Sequence, residues 1–136
     1  MTKTIFINLP VGNLPNAKSF YEAVGATNNP QFTDDTAACM VISDAINVML
    51  LTHMKWATFT NKPISDAHKT GEVMLALSCD SRDAVNAMAD AAGQAGGTAD
   101  CNPVQDHGFM FGRSFEDLDG HVWEAIWMDP KSMPVK

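Results

Sequence analysis

Cationic side chains are scarce: 9 Lys and Arg stand against 16 Asp and Glu, a formal net charge of −7. Without a basic field there is nothing to attract nucleic-acid phosphate or anionic lipid, so neither is expected as a partner. Long apolar runs are missing as well. Stretches such as Val48–Leu51 and Val73–Leu77 fall far short of the ~20 residues a membrane helix requires. The start, Met1-Thr2-Lys3-Thr4-Ile5-Phe6, has no long apolar segment and no small-residue cleavage site, so it reads as a first strand rather than a signal peptide, and a cytoplasmic protein is expected. Cysteine is limited to Cys39, Cys79 and Cys101, an odd number with no CxxC pair, which argues against structural zinc. Cys79, inside the apolar run that begins at Val73, reads as a small buried hydrophobe rather than a reactive thiol. Aromatics are only 8% of the chain while 46% is hydrophobic, so aliphatic residues and the nine methionines carry the core of an ordinary globular chain.

What is present is organised as a repeat. Lys3–Leu9 is β-rich. Asn13 then caps a helical stripe of Leu14, Ala17, Phe20, Tyr21 and Val24, with Pro15 in its first turn and Gly25 as its stop. Two β-rich runs follow, Ala37–Ile42 and Ile46–Thr52, joined by a hairpin-length connection, with room for one further short strand. Residues 54–70 have mixed polarity, Pro63 and no sustained period, and are expected to form a linker with at most one helical turn. The pattern then restarts. Glu72–Cys79 reads as a strand, and Ser81 caps a stripe of Ala84, Val85, Met88, Ala91, Ala92 and Ala95 that stops at Gly96-Gly97. Strands are expected around Thr98–Asn102, Phe109–Phe115 and His121–Met128. A shift of about 68 residues places Ile7 on Leu75, Asn13 on Ser81, Ala17 on Val85 and Phe20 on Met88. The simplest account is an α+β fold: one domain spanning residues 1–136, built of two βαβββ modules at about 3–53 and 71–129, whose curved half-sheets enclose a groove.

Three pieces of sequence carry a family resemblance. Leu9-Pro10-Val11-Gly12-Asn13-Leu14 with Phe20-Tyr21, the segment Phe115-Glu116-Asp117-Leu118-Asp119-Gly120-His121-Val122-Trp123-Glu124, and the repeat itself resemble the vicinal oxygen chelate superfamily. That superfamily includes glyoxalases, bleomycin-resistance proteins, fosfomycin-resistance enzymes and extradiol dioxygenases. The second piece is similar to the family's F-x-D-P-D-G-x-x-x-E turn, with Leu118 where proline is usual. The wider string, including Thr52-His53, Glu72-Val73 and Asp106-His107-Gly108-Phe109-Met110, is similar to a bacterial branch labelled predicted lactoylglutathione lyase.

The resemblance implies four inward ligands for one divalent ion that polarises vicinal oxygens of a substrate. Those positions fall on Phe6, Leu50, Met74 and Glu124. Only Glu124 is a donor for a hard ion, so no metal residues and no cofactor are expected. A divalent ion would enter only through a shifted set drawn from Glu124, Glu72, His107, His53 and Asn8.

Alternation along Val122–Met128 puts Trp123, Ala125 and Trp127 on one face and Glu124 on the other. If the tryptophans pack under the helices, Glu124 faces the groove. There it is either a base or polar anchor with its pKa raised by desolvation, or a structural carboxylate bonded to neighbours such as Asn8. His107, at a loop mouth beside Phe109, is a ligand-binding or acid–base candidate, or simply a solvated side chain. Arg113 is out of phase with Gly112 and Ser114. It turns toward the groove through a bulge, or else pairs with a carboxylate.

The function these features favour is metal-free binding of a small, partly aromatic or oxygenated molecule by a homodimer. Glu124, His107 and Glu72 are the candidate reactive groups, and Phe6, Asn8, Leu50, Met74, Phe109, Met110 and Arg113 the lining. The alternative is a metal-dependent lyase, isomerase or dioxygenase that uses Glu124 with a shifted ligand set.

Overall fold

The computed structural model describes residues 2–132. The first unit runs β1 (Ile5–Val11), α1 (Leu14–Ala23), β2 (Thr27–Asn29), β3 (Ala37–Val41) and β4 (Ile46–Thr52). After α2 (His53–Phe59) and a loop comes the second, β5 (Met74–Ser78), α3 (Arg82–Gln94), β6 (Thr98–Ala99), β7 (Gln105–Asp106), β8 (Met110–Glu116) and β9 (Val122–Met128). Each unit forms its own mixed sheet. The strand orders are β1-β4-β3-β2 and β5-β9-β8-β6, with β7 also on β8. In both, the first strand lies parallel to the last and sits at the sheet edge.

Local chemistry explains the elements. The Asn13 side chain accepts from the Asn16 amide and the Ser81 hydroxyl from that of Ala84, which satisfies donors the first helical turns leave free. Gly25 and Gly96 turn the chain out of α1 and α3 at φ of 111° and 99°. Pro10 is tolerated within β1 because Ile5 donates toward β4, to the Ala45 carbonyl. Even-numbered residues of β1 therefore direct their backbone to the open edge, where a missing N–H breaks no ladder bond. The expected linker helix is longer than a single turn: α2 spans seven residues, none of them buried.

Both sheets turn their helix-side faces into one core. Leu9, Val11, Val48 and Leu50 of the first sheet and Phe115 and Trp123 of the second enclose the buried stripe of α1. Phe20 stands 6.3 Å from Phe115 and Tyr21 6.0 Å from Trp123, ring centroid to ring centroid. The two uncovered faces consequently lie on the sides of the sheets opposite this shared core.

The Asp117–Gly120 turn stitches the units together. Asp117 accepts from the Tyr21 hydroxyl at 2.5 Å, Asp119 from the Gly12 amide at 2.8 Å, and the His121 Nε2–H donates to the Pro10 carbonyl at 2.8 Å. Gly120, at φ 88°, lies so close to Ala67 and His68 that an added Cβ would stand 2.6 Å from the His68 nitrogen. This contact presses the loop after α2 onto the turn.

Candidate functional site

Strand register decides which side chains share the open faces. On the first sheet Phe6 pairs with Asn47, Asn8 with Met49 and Leu9 with Leu50. Phe6 and Asn8 look outward, with Phe6 57% exposed, whereas Leu50 is fully buried in the core with Leu9. The expectation that Leu50 lines the site is therefore corrected by one residue. Asn8 and Ala76 are repeat mates, and their strand partners are Met49 and Glu124, so Met49 occupies the position equivalent to Glu124. Its thioether is no better as a ligand for a hard ion.

On the second sheet Trp123 and Ala125 face the core, as alternation required, and Glu124 faces out. Glu124 lies between Ala76 of β5 and Ser114 of β8. It is half-buried and makes no hydrogen bond or ion pair among the described residues. Around it the same face carries Met74, Ile126, Met110 and Met128, so the carboxylate stands in largely apolar surroundings. The polar neighbour Ser114 is already engaged: its hydroxyl oxygen accepts from the Asn102 amide at 2.8 Å, while Asn102 Nδ2 approaches the Met74 sulfur at 4.0 Å. Met74 is 63% exposed.

The three candidate reactive groups do not converge. Met110 is opposite Met128, four residues along β9 from Glu124, and His107 lies beyond it, at least ~13 Å away at strand spacing. Glu72 precedes Met74, whose partner is Val122, and is displaced toward the opposite end of the strand. His107 is exposed, pairs with the Gln105 side chain at 3.0 Å, and lies 6.3 Å from the Phe109 ring. Arg113 takes the second of its two expected orientations, paired with carboxylates, and so leaves the expected lining. Its guanidinium turns to the helix side, where it grips both oxygens of Asp100 at 2.9 Å and reaches Asp90 and Asn86 on α3 at 3.0 Å. Asp100 holds its charge because these Arg113 hydrogen bonds lower its pKa, against a smaller opposing effect of burial. The arginine clamps α3 to β8 and contacts no open face.

One cavity does collect candidate residues. It has a volume of about 520 Å³ between the edges of β1 and β5, under the loop after α2. Asn8 and Glu72 line it together with Trp56, Lys62, His68 and Val122. Neither Trp56 nor the loop was singled out from the sequence. The available signal was Trp56 three residues after His53, followed by Lys62-Pro63 and Asp66-Ala67-His68, but the segment has no period to place it. Val122 and Asn8 continue along their strands to Glu124 and Phe6 on the same open faces, so the cavity is the sheltered end of each.

The residues do not fit the divalent ion that the fold family suggests. Phe6, Met49 and Met74 are not donors for it, and among the described residues no three His, Cys, Asp or Glu side chains are grouped to hold an ion. No helix among the described residues is long and apolar enough to cross a membrane.

No family model matches the chain, and no curated protein matches it by sequence. Solved structures do. A hypothetical protein from S. aureus is similar at 26% identity, with 93% of this chain and 95% of that one covered and a TM-score of 0.76. A glyoxalase-related enzyme from Fulvimarina pelagi superposes at 17% identity over 100% and 94% of the two chains, TM-score 0.77. An antibiotic-binding protein from Streptomyces is similar at 19% identity over 94% and 97%, TM-score 0.63. The chain has the α+β fold of the glyoxalase, bleomycin-resistance and dioxygenase proteins, the vicinal oxygen chelate fold.

Proposed function

We propose that the protein binds a small, partly apolar molecule without a metal ion, on a site that two copies of the chain complete. The observation that carries this reading is the composition of the open faces. Phe6 and Met74 are 57% and 63% exposed, on open faces whose carboxylates Glu124 and Glu116 make no hydrogen bond or ion pair among the described residues. Exposed apolar residues on the open faces of the two edge strands, β1 and β5, favour a covering surface. The open faces point away from the chain's own core, so a second copy supplies that surface by bringing one unit's face onto the other unit's face across a two-fold axis. Glu124 is then the polar anchor for a hydroxyl, amide or cationic group of the ligand, and the cavity beside Asn8 and Glu72 holds its far end. The similarity to an antibiotic-binding protein supports small-molecule binding.

Metal content and mass decide between this and the metal-dependent lyase, isomerase or dioxygenase reading. Purified protein is incubated with Ni²⁺, Zn²⁺, Mn²⁺ and Fe²⁺, desalted and measured by elemental mass spectrometry, with Glu124→Gln in parallel. A ligand screen by thermal shift and light scattering follows. The proposal expects no retained metal, a dimeric mass, and ligand-induced stabilisation that the Glu124→Gln variant weakens. Near-stoichiometric metal lost in the variant, or a monomer with no ligand response, refutes it.

A further inference from the structure

A second cavity, of about 560 Å³, lies on the helix side, away from both open faces and between the two units. Its mouth is the end of α1 at Val24–Ala26 and the β3–β4 turn at Ile42 and Ser43. Met88 of α3 and Leu77 of β5 form its walls, and Phe115 and Trp123 its floor. A volume of this size accommodates a small organic molecule.

The lining chemistry selects the occupant. No Asp, Glu, Lys, Arg or His contributes to it. Its sole titratable group, Tyr21, is committed, because the hydroxyl donates to Asp117 and accepts from Trp123 Nε1 at 2.9 Å. A charged ligand would lose its hydration here and gain no counter-charge. Apart from Ser43 at the mouth, the polar handles lie along the β5 side. The Cys79 amide donates to the Ile126 carbonyl on β9, so in this parallel ladder the odd-numbered residues of β5 bond to β9 while Ala76 and Ser78 turn their backbone groups to the free edge. Ala76, Leu77 and Ser78 all line the cavity. An apolar chamber with strand-edge N–H and C=O groups along one wall suits a molecule with an apolar body and one neutral hydrogen-bonding group.

We infer that the cavity between Val24, Met88, Leu77 and Trp123 is a binding site for neutral hydrophobic molecules bearing a single hydroxyl, carbonyl or amine. It is separate from the open-face site and does not depend on it.

The test uses two dyes with the same aromatic framework, N-phenyl-1-naphthylamine, which is neutral, and 1-anilinonaphthalene-8-sulfonate, which carries a charge. Each is titrated into the full chain and followed by fluorescence and by energy transfer from tryptophan. The neutral dye is expected to saturate at one per chain and to bind at least tenfold more tightly than the sulfonate. It should shift the amide NMR signals of Val24, Ile42 and Met88, which line the chamber, and leave those of Phe6 and Met110 on the open faces in place. Ala26→Trp and Met88→Trp, each placing a bulky ring in the chamber, should each weaken the neutral dye at least tenfold. Equal binding of both dyes, or shifts centred on Phe6 and Met110, overturns the inference using the unmodified chain alone, whether or not the variants fold.

Discussion

Replacing Tyr21 with Phe removes one oxygen and nothing of the ring that packs at 5.3 Å from Phe20 and 6.0 Å from Trp123. That oxygen makes two bonds across the units, donating to buried Asp117 at 2.5 Å and accepting from Trp123 Nε1 at 2.9 Å. Asp117 keeps the amides of Asp119 and His121 at 2.9 Å, so its carboxylate is not orphaned, but the indole N–H is. Loss of a bond to a buried carboxylate plus one unsatisfied buried donor amounts to about 3 kcal/mol. For a chain of this size, that corresponds to a fall in Tm of roughly 10 °C.

The pH dependence carries a sign. Burial raises the Asp117 pKa, against the opposing effects of the His121 charge, the Tyr21 hydroxyl and backbone donors. A carboxyl whose folded pKa lies above its unfolded value contributes most stability below the unfolded pKa and loses it as pH rises through the folded value. Removing the Tyr21 donor raises the folded pKa further, so the cost of Tyr21→Phe should be larger at neutral pH than near pH 4. Urea unfolding followed by tryptophan fluorescence at both pH values measures it. A loss below about 0.5 kcal/mol at neutral pH, or a loss that grows on acidification, would refute the account of the network.

Gly97→Ala should be among the most damaging single changes, because its Cβ would stand 2.3 Å from the Glu116 carbonyl and 2.7 Å from Phe20 Cε1. A loss of about 3 kcal/mol or more by the same unfolding assay is expected. Glu124→Gln should leave the fold intact, with Tm within about 2 °C of the parent, since its carboxylate has no partner among the described residues. Asp106 has its pKa lowered to about 2, chiefly by the Arg82 hydrogen bond, so its contribution persists above the ordinary carboxylate range and fades only as pH falls toward that value. An NMR titration of the Asp106 carboxyl should return its midpoint toward the ordinary range in Arg82→Ala. Arg113→Lys, which cannot reproduce the two-pronged grip on Asp100, should cost about 1 kcal/mol in thermal unfolding, the pair being partly exposed.

The helices and most strands were legible because local signals agreed with one another. Asn13 and Ser81 cap where they were expected to, and Ile46–Thr52 is a strand end to end. The misplacement of Leu50 has a physical cause in that same strand. Val48, Leu50 and Leu51 are all buried, so β4 lacks the alternation that announces a face, and a one-residue slip carries no sequence penalty. The helix α2 was half-hidden because it buries no residue, with Met54 and Phe59 84% and 62% exposed. How the units pack was not legible at all. A repeat specifies two similar halves, and the bonds from Tyr21 to Asp117 and Trp123, 96 and 102 residues away, follow no spacing rule. The outward face of Glu124 followed from parity, whereas its separation from His107 and Glu72 depends on strand register, which alternation does not determine.

The seam between the halves has a bearing on how this chain could have diverged from a duplicated ancestor. Tyr21 reaches across to the other half, but the residue 68 positions later is Ala89, a methyl group with nothing to offer in return. The Asp117–Gly120 turn likewise grasps β1 and α1, and among the described residues no turn of the first half makes a matching side-chain bond to the second. The backbone is doubled while the adhesive runs one way, so the halves have become a lock and its key. A gene carrying the first half twice, or the second half twice, would encode the right strands in the right order and lack the hydrogen bonds that join the halves here.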